Sequence, residues 1–135
     1  MEDRQLIAAF EAGTLPAEGF HHRDHVRLAW LYLREQPLLS AIAAFGAALK
    51  RFAQRNGAEH RYHETITWAY VCLIHERMER DGRDRPWDDF TAANPDLFDS
   101  SDPILKRYYT EETLGSDLAR RIFVMPAPRR GLTPS

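Results

Sequence analysis

The sequence predicts an all-α domain, and three observations predict it. Apolar residues recur every three or four positions over long stretches, most clearly at Leu38, Ile42, Phe45, Leu49 and Phe52. No segment sustains the period-two alternation of a half-buried strand. Proline and glycine fall where the periodic stretches end. The expected architecture is a compact antiparallel bundle of four main helices, followed by short C-terminal helices.

Taken in order, Glu2 to Glu11 is the first helix, with Leu6, Ile7 and Phe10 at helical spacing, and Gly13-Thr14-Leu15-Pro16 ends it. The second helix begins between His22 and Asp24 and runs to Glu35, with an apolar stripe of Val26, Ala29, Trp30 and Leu33. Asp24 falls in its first turn, where a carboxylate complements the helix dipole. Pro37 breaks that helix and opens the next, Leu38 to Gln54, which Asn56-Gly57 stops because both residues tolerate a left-handed backbone. The fourth helix spans Tyr62 to Arg80 and closes at Asp81-Gly82. Its middle is apolar on most sides, which places it at the centre of the bundle. Weaker signals follow. Arg85-Pro86-Trp87 starts a short helix that fades by Asn94-Pro95, Asp102-Pro103 opens a segment through Tyr109, and Ser116 caps a last helix from Asp117 to Phe123. Residues 1–125 therefore read as one domain and residues 126–135 as an irregular tail.

Bulk composition narrows the function classes. A chain of 135 residues is one domain by size. A net charge of −2 gives no chain-wide attraction to nucleic acid or to an anionic membrane. No apolar run approaches the roughly 18 residues of a membrane helix. The start, Met1-Glu2-Asp3-Arg4, lacks the basic-then-apolar plan of a signal peptide. One cysteine, Cys72, rules out an internal disulfide and any multi-thiolate zinc site, and its apolar helical context suggests a small buried hydrophobe. The expected location is the cytoplasm.

The chemistry lies in the histidines. Five of the six fall in two blocks, Gly19 to Trp30 and His60 to Trp68, each at the start of a long helix. Imidazole titrates near neutral pH and is the commonest metal ligand. His25 lies one turn from both His21 and His22, and His22 is the preferred partner because it leads toward the apolar row. His63 supplies a third ligand if helices two and four run parallel, and the reversed assignment, Glu64 as ligand and His63 as base, is nearly as good. Glu64 points about 100° away from His63 on a helix, so it suits a base or supporting carboxylate better than a shared ligand. No Glu-x-x-His, His-Glu-x-x-His or Cys-x-x-Cys pattern occurs, which argues against di-iron carboxylate, zincin-like and deaminase sites. His21 and His60 are expected at the surface, and His75 as a partly buried structural histidine.

Phe20-x-His22-x-x-His25-x-x-x-Ala29-Trp30 and His63-Glu64-Thr65-Ile66-Thr67, followed by Asn94-Pro95 and Arg107-Tyr108-Tyr109, resemble a group of small, uncharacterised bacterial helical proteins. The resemblance covers most of the chain and implies one compact domain. It carries no catalytic residues and no activity.

The leading expectation is a site at one end of the bundle where His22, His25 and His63 bind a divalent metal, zinc or iron. Such a site acts on or holds a small molecule, with Glu64 moving the proton in metal-assisted hydrolysis or acid/base chemistry. A metal-free alternative uses the same histidines for hydrogen bonding and proton transfer to a small molecule. A third makes them structural, with an apolar helix face forming a homodimer.

Overall fold

The computed structural model describes residues 2–128, and among these there are helices and turns but no strands. Four main helices carry the fold: α1 (Asp3–Ala12), α2 (His22–Glu35), α3 (Leu38–Arg55) and α4 (Glu64–Asp81). Shorter ones follow: α5 (Trp87–Ala93), α6 (Glu111–Leu114) and α7 (Asp117–Arg121), with 3-10 turns at Glu59–Arg61, Pro95–Leu97 and Ile104–Arg107.

Local chemistry sets the main boundaries. Gly13 takes a left-handed backbone (φ 73°) just after α1, and a Cβ there would strike the Arg55 side chain, which donates to the Ala12 carbonyl. The Asp24 carboxylate accepts the His21 backbone N–H at 2.9 Å, so the first turn of α2 satisfies the donor that precedes it. Pro37 ends one helix and serves as the N-cap position of the next. The Asn56 amide donates to the Phe52 carbonyl at 2.8 Å and finishes α3. His63 is the N-cap of α4, which explains why that helix starts two residues later than its apolar pattern suggests. The four-residue α6, capped by Thr110 on the Thr113 N–H, was not legible from periodicity because it is too short to show any.

Helices α2 and α4 pack together and run parallel, with α3 antiparallel against both. The first turns of α2 and α4 and the C-terminal half of α3 line one hollow, through His22, Thr67 and Leu49. At the other end the Arg83 guanidinium, just past α4, donates to the carbonyls of Leu33 and Gln36 at the end of α2. The core joins Phe10 of α1, Trp30 and Leu33 of α2, Phe45 of α3, and Ile74 and Met78 of α4. Trp30, 2% exposed, packs on Trp87 and Phe90 of α5. Truncating a side chain so buried costs about 3–5 kcal/mol. As its composition suggested, α4 is central and contacts α2, α3 and α7. Cys72 corrects one expectation: it is exposed, on the side of α4 that faces Leu105, Tyr109 and Phe123.

The segments after α4 are tied back by polar groups. Arg77 grips Asp96 with two bonds of 2.9 Å and holds that carboxyl below the usual carboxylate range. Arg107 adds a third contact to Asp96. Asn94 is buried; its amide donates to the Phe90 carbonyl and to Asp81, and its oxygen accepts from Arg77. Thr65, fully buried on α4, donates to the Ile122 carbonyl at 2.7 Å and accepts the Val124 N–H at 3.1 Å. Tyr109 donates to the Val124 carbonyl. Residues 123–128 have no regular structure, and the rest of the expected tail, residues 129–135, lies outside the described residues. No helix among the described residues is long and apolar enough to cross a membrane.

Candidate functional site

The two histidine blocks arrive at the same end of the bundle, as the parallel course of α2 and α4 requires. Two adjoining hollows meet there. An inner one of about 70 Å³ is bordered by His22, His25, Val26 and Tyr70. An outer one of about 300 Å³ is bordered by Phe20, His25, Phe52, Tyr62 and His63, with Ala17, Asn56 and Arg61 at its exposed rim. His25, Leu49, Ile66 and Thr67 belong to both. His25 therefore sits at the junction, while His22 and His63 line different chambers.

The three imidazoles are held differently. At His22 the Nε2–H donates to the Leu97 carbonyl at 2.8 Å, and the ring meets Tyr70 edge-on at 4.8 Å. A carbonyl only accepts, so this bond fixes the tautomer. At His63 both nitrogens are committed: Nδ1 accepts the Ile66 N–H at 3.1 Å, and Nε2–H donates to the Leu114 carbonyl at 2.7 Å. His63 thus caps α4 and staples α6 to it. At His25 the ring lies against Phe20, with centroids 4.5 Å apart, and makes no hydrogen bond among the described residues. Burial, reinforced by neighbouring His22 and opposed by Asp24, pushes His25 down to about 4. Its imidazole is neutral at physiological pH, with one N–H and one lone pair to offer.

Thr67 orders this wall further. Its hydroxyl donates to the His63 carbonyl at 2.7 Å, one turn back, and its side chain borders both hollows. The His63–Thr67 helical row was visible in the sequence. Phe20, Tyr62 and Arg61 were not singled out as site residues, although Phe20 lies in the first histidine block and Arg61 and Tyr62 in the second.

Glu64 lies elsewhere. Its Oε1 accepts the Tyr62 hydroxyl at 2.6 Å, and burial together with this bond raises the phenol well above its ordinary range. Glu64 borders a separate hollow of about 420 Å³ between α3 and α4, with Ile42, Gly46, Lys50 and Trp68. Gly46 makes room for this arrangement, since a Cβ there would sit 3.2 Å from the Tyr62 oxygen. Lys50 reaches over the Tyr62 ring, 5.1 Å from its centre. Tyr62 is thus the partition between the histidine chamber and the Glu64 chamber.

The remaining histidines are peripheral. His21 and His60 are exposed, and His75 is half-buried, 3.8 Å from Glu79. Among the described residues no group of three His, Cys, Asp or Glu side chains is arranged to hold a metal ion. A metal at His22, His25 and His63 requires His63 to give up either its cap on α4 or its bond to Leu114, so the donor set as arranged does not fit one. Searches against family models, curated proteins and solved structures find no match for the chain.

Proposed function

We propose that the protein binds a small molecule in the paired hollow at the helix starts, with His25 as the polar group that meets it. One observation carries this reading. Of the three clustered histidines, His25 alone keeps its ring nitrogens uncommitted among the described residues, and it stands where the two chambers join. The walls have the composition of a small-molecule site: aromatic and aliphatic surfaces from Phe20, Leu49, Phe52 and Ile66, with a few fixed polar groups. An imidazole held neutral donates one hydrogen bond and accepts another, and it takes up a proton when a ligand makes its cation favourable. This favours the metal-free reading over zinc or iron chemistry. We propose a cytoplasmic location as well, supported by the free, exposed Cys72 thiol, which a reducing compartment keeps reduced.

Neutral ring probes, indole and phenol, test the proposal through the imidazole resonances of His25 in a nuclear magnetic resonance titration. Binding is expected to shift His25 and the Thr67 amide together. His25→Leu, which keeps the bulk, is expected to weaken binding by about tenfold, the worth of one buried hydrogen bond. Probes that bind equally well to His25→Leu, or that shift neither residue, would defeat the reading.

A further inference from the structure

The rim of the outer chamber carries a charge that the fold does not use. We propose that the ligand is a small monocarboxylate, its carboxylate held by Arg61 at the mouth and its mainly apolar body lying against Phe20 and Phe52, with its far end carrying the polar group that meets His25. This inference rests on the His25 reading and names the ligand class.

Three observations converge on it. Among the described residues Arg61 is the only charged one bordering the outer chamber, and none borders the inner chamber. No Asp or Glu among the described residues lines either chamber, so none of them repels an anion there. The nearby carboxylate of Glu64 lies across the Tyr62 partition and is engaged by the Tyr62 hydroxyl. Second, the Arg61 guanidinium makes no ion pair or side-chain hydrogen bond among the described residues. Arg77, Arg83, Arg107, Arg120 and Arg121 are each paired with a carboxylate. Third, the other polar groups at the mouth suit an anion. The Asn56 amide gives one proton to the Phe52 carbonyl and has a second to spare.

The chemistry selects the class. A planar guanidinium matches a carboxylate with two parallel bonds. One guanidinium balances one negative charge, which favours a carboxylate over a phosphate dianion. A chamber of about 300 Å³ is at the small end of ligand sites, so the apolar part is a single ring or a branched chain.

The test compares phenylacetate, phenylacetamide, phenethylamine and phenyl phosphate by calorimetry on the full chain at neutral pH. Phenylacetate is expected to bind about fivefold more tightly than phenylacetamide, a ratio suited to an exposed guanidinium, and the ratio is expected to shrink as salt is added. Phenethylamine is expected to bind most weakly. Arg61→Gln, at an exposed position that leaves the core untouched, is expected to bring the phenylacetate-to-phenylacetamide ratio to about one. A preference that survives in Arg61→Gln overturns the proposal, as does phenyl phosphate outcompeting phenylacetate. Equal binding of phenylacetate and phenylacetamide with a shift at His25 sinks the carboxylate assignment and leaves the His25 reading standing. Binding of neither ring probe ends both.

Discussion

His25 carries a pH dependence that follows from its burial. In the unfolded chain its ordinary value is 6.5, and in the folded chain it falls to about 4. His22 and Asp24 face it from its own helix, and Arg61, Tyr62 and His63 border the same chamber from the opposite side. Between those two pH values the unfolded chain binds a proton that the folded chain refuses. The stability tied to this group is therefore complete above pH 6.5 and lost as pH falls toward 4. A shift of this size corresponds to a loss of about 3 kcal/mol, at roughly 1.4 kcal/mol per unit. Urea unfolding across the acid range is expected to show that decline, and His25→Gln is expected to flatten part of it. A proton titration of His25 that finds its midpoint above 6 contradicts the burial account. Cys72 makes the opposite point at this scale: a small apolar-compatible residue in an apolar helix is exposed, at the edge of the hollow that Leu105, Tyr109 and Phe123 form beside α4.

At the scale of the element, the first turn of α4 combines a cap, a staple and a partition within four residues. His63 does the first two. His63→Asn keeps a side-chain acceptor for the Ile66 N–H and loses the reach to Leu114, whereas His63→Ala loses both. The alanine variant is therefore expected to be less stable than the asparagine variant by about 0.5–2 kcal/mol, the usual worth of an N-cap. Equal stabilities in urea would remove the cap from the account. The same pair tests the metal reading. Added zinc or ferrous iron is expected to produce no melting shift that His63→Asn abolishes, and such a shift would return His63 to a ligand sphere. Glu64 forms the partition with Tyr62. Glu64→Gln keeps an oxygen that accepts the Tyr62 hydroxyl, so it is expected to leave stability within about 1 kcal/mol, a neutral hydrogen bond replacing a charged one. Probe binding at His25 is expected to stay close to that of the wild type. A strong loss of binding in this variant would restore Glu64 to the catalytic role that its position in the sequence suggested.

For the whole molecule, the histidine end is built by long-range ties from two helix starts. His22 reaches Leu97, His63 reaches Leu114, and Thr65 holds both Ile122 and Val124. Residues 95–124 are thereby bound against α2 and α4, close to the chambers. Thr65→Val preserves shape and leaves the Ile122 carbonyl and the Val124 N–H without their partner. The expected cost is about 2–4 kcal/mol, with faster amide exchange at Val124 and little change at Val26 in the core. Unchanged exchange at Val124 would show that the tie is not what holds this segment.

The order of helices, their approximate limits and the gathering of both histidine blocks at one end follow from the sequence by itself. Apolar periodicity fixes which faces are buried, and short connections fix which helix ends adjoin. The division of labour among His22, His25, His63 and Glu64 was decided only by the tertiary structure. The groups that occupy His22 and His63 are backbone carbonyls of Leu97 and Leu114, and every residue type has that carbonyl, so no side-chain pattern marks them. Glu64 was separated from the histidines because Tyr62 stands between them, a consequence of the room left at Gly46 on another helix. His25 became the distinctive residue by the same route. Its environment is assembled from α2, α3, α4 and the loop carrying Phe20, and burial by distant segments sets its charge.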